Sequence, residues 1–184
     1  PASVARAIAG SDVVINLVGI LKGDFDAFHH RGAANVAKAA ADAGVTALVH
    51  MSAIGADPES PSAYGRSKAA VKAAFPTATI IRPSIIFGAE DQFLNRFAEI
   101  IGMLPVIPVI GAATKFQPVY VADVAHAIAN AAEQPGVHGG QTYELGGPQV
   151  RSMREINQWI AKAVGREKAL VEVPNGVAKM LAML

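Results

Sequence analysis

The sequence predicts an α/β fold in which helices cover both faces of a doubly wound parallel sheet. Short apolar runs alternate along the chain with longer segments of helical period, which is typical of βαβ units. Hydrophobic residues make up 52% of the 184 residues and charged residues 17%, a composition that suits strands buried on both faces. We therefore expect parallel strands near 13–19, 47–52, 78–82 and 141–145.

Four apolar runs carry the strand predictions. "DVVINLVGI" (12–20) is nearly continuous and rich in β-branched residues, as expected of a buried strand. "ALVHMSA" (47–53) is a second such run, and "QTYELGG" (141–147) is another. In "ATIIRPS" (78–84) the proline at position 83 marks the point where the strand leaves the sheet.

Between these runs the sequence has helical period. The first ten residues predict a helix, because Pro1 suits the first helical position and Gly10 the residue after the last. Since nothing before Pro1 could cap that helix, we expect the chain to begin inside a domain. Further helices are predicted over 25–44, 63–75, 91–102, 121–134, 153–165 and 174–184.

Composition excludes several classes of function. The formal net charge is +1 and no basic run is present, which gives no indication of nucleic-acid binding. The absence of cysteine excludes disulfides and thiolate metal sites. The five histidines lack any recognisable metal-binding spacing, so no metal site is predicted.

The segment "GMLPVIPVIG" (102–111) is apolar and contains two prolines. The apolar stretch around it is too short to span a bilayer, which takes about 20 residues, and its prolines exclude a regular helix. It is predicted to contact a partner or a membrane surface. The alternative is a loop packed on the protein's own core.

"SPSAYGRSKAA" (60–70) places Tyr64 and Lys68 four residues apart, on one face of the predicted helix. An ammonium group beside a phenol favours the phenolate. Such a tyrosine could exchange a proton with a substrate oxygen while hydride moves to or from a nicotinamide. A Tyr-x-x-x-Lys motif alone is weak, but this one begins one loop after a strand that ends in Ser52.

Five stretches together resemble a known family: "VVINLVG", "LVHMSA", "YGRSK", "TIIRPSIIFG" and "FQPVYVADVAHAI". They are similar, in combination and in order, to the Rossmann-like extended short-chain dehydrogenases/reductases of the NAD-dependent epimerase/dehydratase type. More narrowly, they resemble the atypical branch that contains the NAD(P)-binding accessory subunit of respiratory complex I and its bacterial relatives. The resemblance covers about residues 1–165.

The resemblance implies a site at the carboxyl ends of the strands. Tyr64 would be the proton donor, Lys68 the lysine that binds ribose, and Ser52 a third catalytic residue. The residues expected to bind NAD or NADP are Leu17, Val18, Gly19, Ser52, Ala53, Tyr64, Lys68, Pro83, Ser84 and Ile85. Asp123 is expected to be structural.

Two departures from the family pattern matter. The family's glycine-rich phosphate loop is absent, as are the strands around it, so the sheet is expected to be incomplete at its N-terminal side. Catalytic members carry Ser or Thr where this chain has Ala53, with Ser52 one position earlier. The second departure places catalysis in doubt more than nucleotide binding.

Three functions remain open. The first is a nucleotide-binding accessory or assembly protein related to the complex I subunit. The second is an active oxidoreductase, epimerase or dehydratase on a sugar-nucleotide or small carbonyl substrate, and the third an interaction module without ligand. Residues 1–147 would form the C-terminal portion of the NAD(P)-binding domain, and 148–184 a small helical region on the substrate or partner side.

The expected partners are a dinucleotide and, through 102–111, respiratory-complex subunits or a membrane surface. No nucleic-acid partner and no transmembrane segment are expected. The resemblance implies a bacterial cytoplasmic protein or one on the mitochondrial matrix side, with a peripheral position at the inner membrane as an open alternative.

Overall fold

The structure, a computed structural model, describes residues 2–20, 23–54, 71–166 and 168–174. Tertiary contacts divide the chain into two units. The first comprises Pro1–Ser84 and Ala122–Leu145, and the second Ile85–Val121 and Gly146–Leu184.

The first unit is built on a four-stranded parallel sheet in the order β1-β2-β3-β8. Its strands are β1 (Val13–Asn16), β2 (Ala47–Met51), β3 (Thr79–Pro83) and β8 (Thr142–Leu145). All four predicted strands are therefore present and parallel, and the α/β prediction is confirmed. Pro83 is the last residue of β3, as expected.

The described helices of this unit lie within the predicted segments, except that the helix over Pro135–His138 was not predicted and that residues 63–70 of the predicted helix over 63–75 lie outside the described residues. They are α1 (Ala2–Ile8), α2 (Gly32–Asp42), α3 (Val71–Ala74), α5 (Val121–Glu133, within this unit from Ala122) and α6 (Pro135–His138). A π-helical turn over Asp26–Arg31 leads into α2. Gly10 and Gly44 follow α1 and α2 with φ of 78° and 70°, the left-handed conformation in which glycine commonly ends a helix.

The core of the first unit lies between α1, α2, α3 and one face of the sheet. Alanines of α2 approach the strands closely, since Ala37 and Ala40 are fully buried. Leu48 of β2, Ile80 of β3 and Val71 of α3 pack into the same cluster. The small alanine side chains let α2 lie close against the sheet.

Among its described residues, the second unit contains three two-stranded pairings. β4 (Ile86–Phe87) pairs in parallel with β7 (Val119–Tyr120), and β6 (Lys115–Phe116) pairs antiparallel with β9 (Arg151–Ser152). β5 (Ile107–Ile110) pairs in parallel with β10 (Leu170–Val173). None of these pairings was predicted from the sequence.

Two helices cover the core of the second unit, α4 (Leu94–Met103) and α7 (Met153–Ala163). Ile101, Ile107, Ile156 and Ile160 meet between them. α7 begins with a capping box, in which Ser152 Oγ accepts from the Glu155 amide and the Glu155 carboxylate accepts from the Ser152 amide. The hydrogen bond from the Ser152 backbone amide is the main reason that the pKa of Glu155 is lowered.

The segment 102–111 is only partly packed on its own core. Ile107 and Val109 point inward and are buried, whereas Met103 is 81% exposed and Leu104 and Val106 are also exposed. The full burial of Met103, Leu104 and Val106 that would decide for a loop packed on the protein's own core is not observed. Within the described residues, no helix is both long and apolar enough to cross a bilayer.

Candidate functional site

The carboxyl ends of β1, β2 and β3 form one edge of the first unit's sheet. In the parallel register Asn16 lies opposite His50, and Met51 lies opposite Ile81. The segments that follow the three strands therefore leave the sheet side by side. This edge brings together Leu17–Gly19, Ser52–Ala53 and Pro83–Ser84, which are all predicted cofactor contacts.

The segment Leu17–Gly19 offers an apolar surface at this edge. β1 ends at Asn16 rather than near residue 19 as predicted, because the Asn16 Oδ1 accepts a hydrogen bond from the Val18 amide at 3.2 Å and the backbone then turns. The side chains of Leu17 and Val18 are 52% and 53% exposed. Exposed apolar side chains beside a sheet edge suit the flat faces of a dinucleotide's rings.

β2 continues its pairing beyond Met51. The Ser52 amide donates to the Ile81 carbonyl at 2.7 Å, and the Ile54 amide donates to the Pro83 carbonyl at 3.4 Å. Because side chains alternate along an extended strand, Ser52 and Ala53 point to opposite faces. Leu48 and Val71 pack in the same core cluster, so α3 covers the face of β2 to which Leu48 points. Ser52 lies four residues after Leu48 and therefore points to the same face.

The Ser52 hydroxyl is a polar group without a partner among the described residues. Ser52 is buried, and its Oγ makes no hydrogen bond there. A buried hydroxyl left unpaired costs about 1–3 kcal/mol, so such a group is a candidate for contact with a ligand. Together with the apolar side chains of Leu17 and Val18, it fits a dinucleotide at this edge.

Behind the edge lies a buried polar pair that the sequence analysis missed. Asn16 and His50 are opposite each other in the register, and the Asn16 Nδ2 and the His50 Nδ1 are 3.0 Å apart. Both side chains are buried. The available signal was the presence of one polar residue in each of two apolar strands, "VVIN" and "ALVHM".

Two further predicted site residues, Ser84 and Ile85, follow β3 directly. The Ser84 amide donates to the Leu145 carbonyl at 2.8 Å, at the end of the β3–β8 ladder. Ile85 belongs to the second unit, where its carbonyl accepts from the Val119 amide at 2.9 Å. Tyr64 and Lys68 lie outside the described residues, as does the predicted helix over 174–184 from residue 175 onward.

Metal-ligating side chains do not cluster in the part of the chain that the structure describes: no group of three or more His, Asp or Glu side chains could hold an ion there. The described polar groups at the sheet edge include the hydroxyls of Ser52 and Ser84 and backbone amides. They suit hydrogen bonds to an organic ligand.

Comparison with known proteins finds a family model and several relatives that match this chain. Residues 1–85 match the family model for NAD(P)H-binding proteins. The chain is 36% identical over 190 residues to subunit 9 of the NADH dehydrogenase [ubiquinone] 1 alpha subcomplex, mitochondrial, of Arabidopsis thaliana, covering 98% of this chain and 47% of that protein. It is 42% identical over 155 residues to the Mus musculus subunit of the same name, covering 79% of this chain and 41% of that protein.

The fold has solved counterparts. A dTDP-4-dehydrorhamnose reductase of Bacillus anthracis in complex with NADP superimposes with a TM-score of 0.79 at 23% identity, over 95% of this chain and 71% of that one. The chain spans about half the length of the curated relatives that it matches. Residues 1–85 therefore match the NAD(P)H-binding family, and the chain is related to the mitochondrial NADH dehydrogenase subunits that it matches and shares the fold of the reductase.

Proposed function

We propose that the protein binds NAD(P) at the carboxyl edge of the first unit's sheet and serves a respiratory NADH dehydrogenase as a nucleotide-binding accessory or assembly protein. One observation carries the binding proposal. Three segments that are far apart in the sequence leave the sheet side by side at this edge, with the exposed side chains of Leu17 and Val18 among them. The names of the related subunits support the accessory role.

Different residues of the chain would contact different parts of the nucleotide. Leu17, Val18 and Gly19 would lie against the adenosine, and the Lys68 ammonium would donate to ribose hydroxyls. Ser52, Ala53, Tyr64, Pro83, Ser84 and Ile85 are the further proposed contacts. When bound, the nicotinamide could accept or supply a hydride.

Catalytic activity would require a side-chain hydroxyl that donates a hydrogen bond to the substrate oxygen. At the position where catalytic members carry Ser or Thr, this chain has Ala53, which cannot donate a hydrogen bond. Losing one such donor typically lowers the rate about 100- to 1000-fold. This favours the accessory protein over an enzyme.

An active oxidoreductase, epimerase or dehydratase is the second candidate, and one observation favours it. The Ser52 hydroxyl is buried without a described partner, on the face of β2 that α3 covers. Tyr64 and Lys68 precede α3 in the sequence. If Ser52 and Tyr64 together reached a substrate oxygen, Ser52 would replace the missing hydroxyl at position 53.

The nucleotide-binding prediction is tested with the full-length protein by fluorescence titration with NADH and NADPH. Lys68→Ala should weaken binding about tenfold or more, because it removes charge-assisted hydrogen bonds to ribose. Lys38→Ala is the matched control, since Lys38 is an exposed lysine paired with Asp42 at 2.9 Å, and it should bind as the unaltered protein does.

The same protein is then screened for turnover with carbonyl and sugar-nucleotide substrates. Binding without turnover supports the accessory role. Turnover that collapses in Tyr64→Phe would instead make the protein an enzyme. A protein that binds neither nucleotide would leave only the interaction module.

The apolar turn, defined here as residues 103–106, is proposed as the contact with another subunit of the assembly. Its four residues, Met103, Leu104, Pro105 and Val106, are all exposed. A membrane surface would favour free cations beside such a turn. The neighbouring Lys168 ammonium is already engaged, since it donates to the carbonyls of Ile101 (2.9 Å), Gly102 (3.3 Å) and Leu104. The Lys168 charge remains, but its three amine hydrogens are directed at carbonyls and none is left for a lipid phosphate, so we propose an apolar protein surface rather than anionic lipid as the partner.

Met103→Glu combined with Val106→Glu should therefore reduce incorporation into the NADH dehydrogenase assembly about tenfold or more, because two charges would be desolvated at the contact. The measurement is native electrophoresis of the assembly from cells that express the variant. Val137→Glu, an exposed apolar residue of the first unit, is the control. Flotation of the purified protein with anionic vesicles, lost in the double variant while incorporation persists, would assign the turn to the membrane instead.

A further inference from the structure

The buried pair Asn16–His50 links two strands of the sheet to the segment proposed to bind nucleotide. Asn16 is 5% exposed and His50 is 1% exposed. The Asn16 Oδ1 accepts from the Val18 amide. Its other amide atom, Nδ2, therefore faces the His50 Nδ1 at 3.0 Å. Because Nδ2 can only donate, the His50 Nδ1 must accept, and the ring proton must be on Nε2.

Burying such a polar pair in the interior of a sheet costs desolvation free energy. Two apolar side chains would pack there without desolvating polar groups, whereas buried polar groups are tolerated only when they are hydrogen-bonded. The pair's effect on the backbone supplies a reason for it. By accepting from the amide two residues on, Asn16 forms a turn of the kind that asparagine favours.

That turn determines where the apolar surface lies. β1 stops at Asn16, and Leu17 and Val18 then expose their side chains at the sheet edge. The Asn16 amide can hold Val18 only while its own orientation is fixed. His50, on the neighbouring strand, fixes that orientation through its unprotonated Nδ1.

We propose that Asn16 is a positioning residue for the nucleotide-binding segment Leu17–Gly19, and that His50, as the neutral Nε2–H tautomer, orients Asn16. The inference rests on the proposed nucleotide binding and deepens it. Neither residue contacts the nucleotide. Asn16 acts through the Val18 backbone, and His50 acts through Asn16.

The test uses two variants of the full-length protein, one that removes the acceptor for the Val18 amide and one that retains it. Asn16→Leu has similar volume but removes both hydrogen bonds. Asn16→Asp retains an oxygen to accept from the Val18 amide and forces His50 to present a proton at Nδ1. Nucleotide affinity is measured by NADH titration, Val18 by amide hydrogen exchange, and the His50 ring by ¹⁵N NMR. Thermal melting verifies that each variant is folded at the temperature used.

In the unaltered protein we expect an unprotonated His50 Nδ1 and a protected Val18 amide. Asn16→Leu should expose the Val18 amide to exchange and weaken NADH binding about tenfold. Asn16→Asp should keep that amide protected, keep the affinity within about threefold, and move a proton onto the His50 Nδ1. If Asn16 merely filled space, leucine would serve as well as aspartate, and NADH affinity would not be lost in one variant and retained in the other.

Several results would overturn the inference. Asn16→Leu with unchanged affinity, in a protein that binds NADH, would show that the segment is positioned by something else, while the proposed function would stand. A protonated His50 Nδ1 in the unaltered protein would remove the role of His50 whether or not nucleotide binds. If the unaltered protein binds neither nucleotide, the proposed function and this inference fail together.

Discussion

Gly147→Ala should destabilise the second unit by about 1–3 kcal/mol or more, because it forces atoms into a space that backbone already occupies. A Cβ at position 147 would lie well inside van der Waals distance of the Pro118 carbonyl oxygen, and also close to its carbonyl carbon. Backbone cannot give way as the end of a flexible side chain can. The clash therefore has to be relieved by moving one of the two segments.

The two segments that would have to move are joined by hydrogen bonds. The Gly147 amide donates to the Gln117 carbonyl at 3.3 Å, and the Gln117 Nε2 donates to the Gly147 carbonyl at 2.6 Å. Separating the segments would break both bonds, each of which contributes about 0.5–1.5 kcal/mol. The loss of these bonds adds to the steric cost.

Gly102→Ala is the matched control for this prediction. Gly102 lies in α4, and a Cβ there would meet nothing within 4 Å. Alanine is favoured over glycine inside a helix by about 1 kcal/mol, so this change should be neutral or stabilising. Urea unfolding of both variants gives the comparison. Equal unfolding midpoints for the two variants would contradict the close approach of residues 118 and 147.

Leu48→Ala should cost about 2–5 kcal/mol of stability, the usual range for removing a large aliphatic side chain from a packed core. Leu48 is the second residue of β2, and it is 1% exposed. It packs in the cluster that joins α2 and α3 to the sheet. Most described members of that cluster belong to helices and strands, which limits how far the cavity can collapse.

The measurement is the free energy of unfolding from urea titration of the full-length protein. Val137→Ala removes a similar apolar side chain from an exposed position of the same unit, where Val137 is 65% exposed, and should change stability by less than about 0.5 kcal/mol. A loss below about 1 kcal/mol in Leu48→Ala would indicate that β2 is less tightly packed than the structure has it.

The parallel sheet could be predicted because its strands are buried on both faces. Such strands appear in the sequence as continuous apolar runs, as in "ALVHM" and "TIIRP". A helix between successive strands is the usual crossover connection of a parallel sheet. The convergence of Leu17, Ser52 and Pro83 at one edge then follows, since the carboxyl ends of parallel strands share an edge.

The end of β1 could not be placed from local pattern. "VVINLVG" has no break in apolar character strong enough to stop a strand at its fourth residue. The strand stops there because Asn16 turns its amide to Val18, and that orientation depends on His50, 34 residues later. Local pattern carries no information about a partner so distant in the chain.

The sequence by itself determined the fold class and the positions of the four sheet-forming segments along the chain, because these depend on period and polarity within short windows. Only the tertiary structure decided that Ile107–Ile110 is a strand. Its partner, Leu170–Val173, lies about 60 residues away and α7 packs on the inward-facing Ile107 and Val109. The same reason applies to Asn16 and His50: a hydrogen bond between strands depends on register, and register is settled when the strands pair.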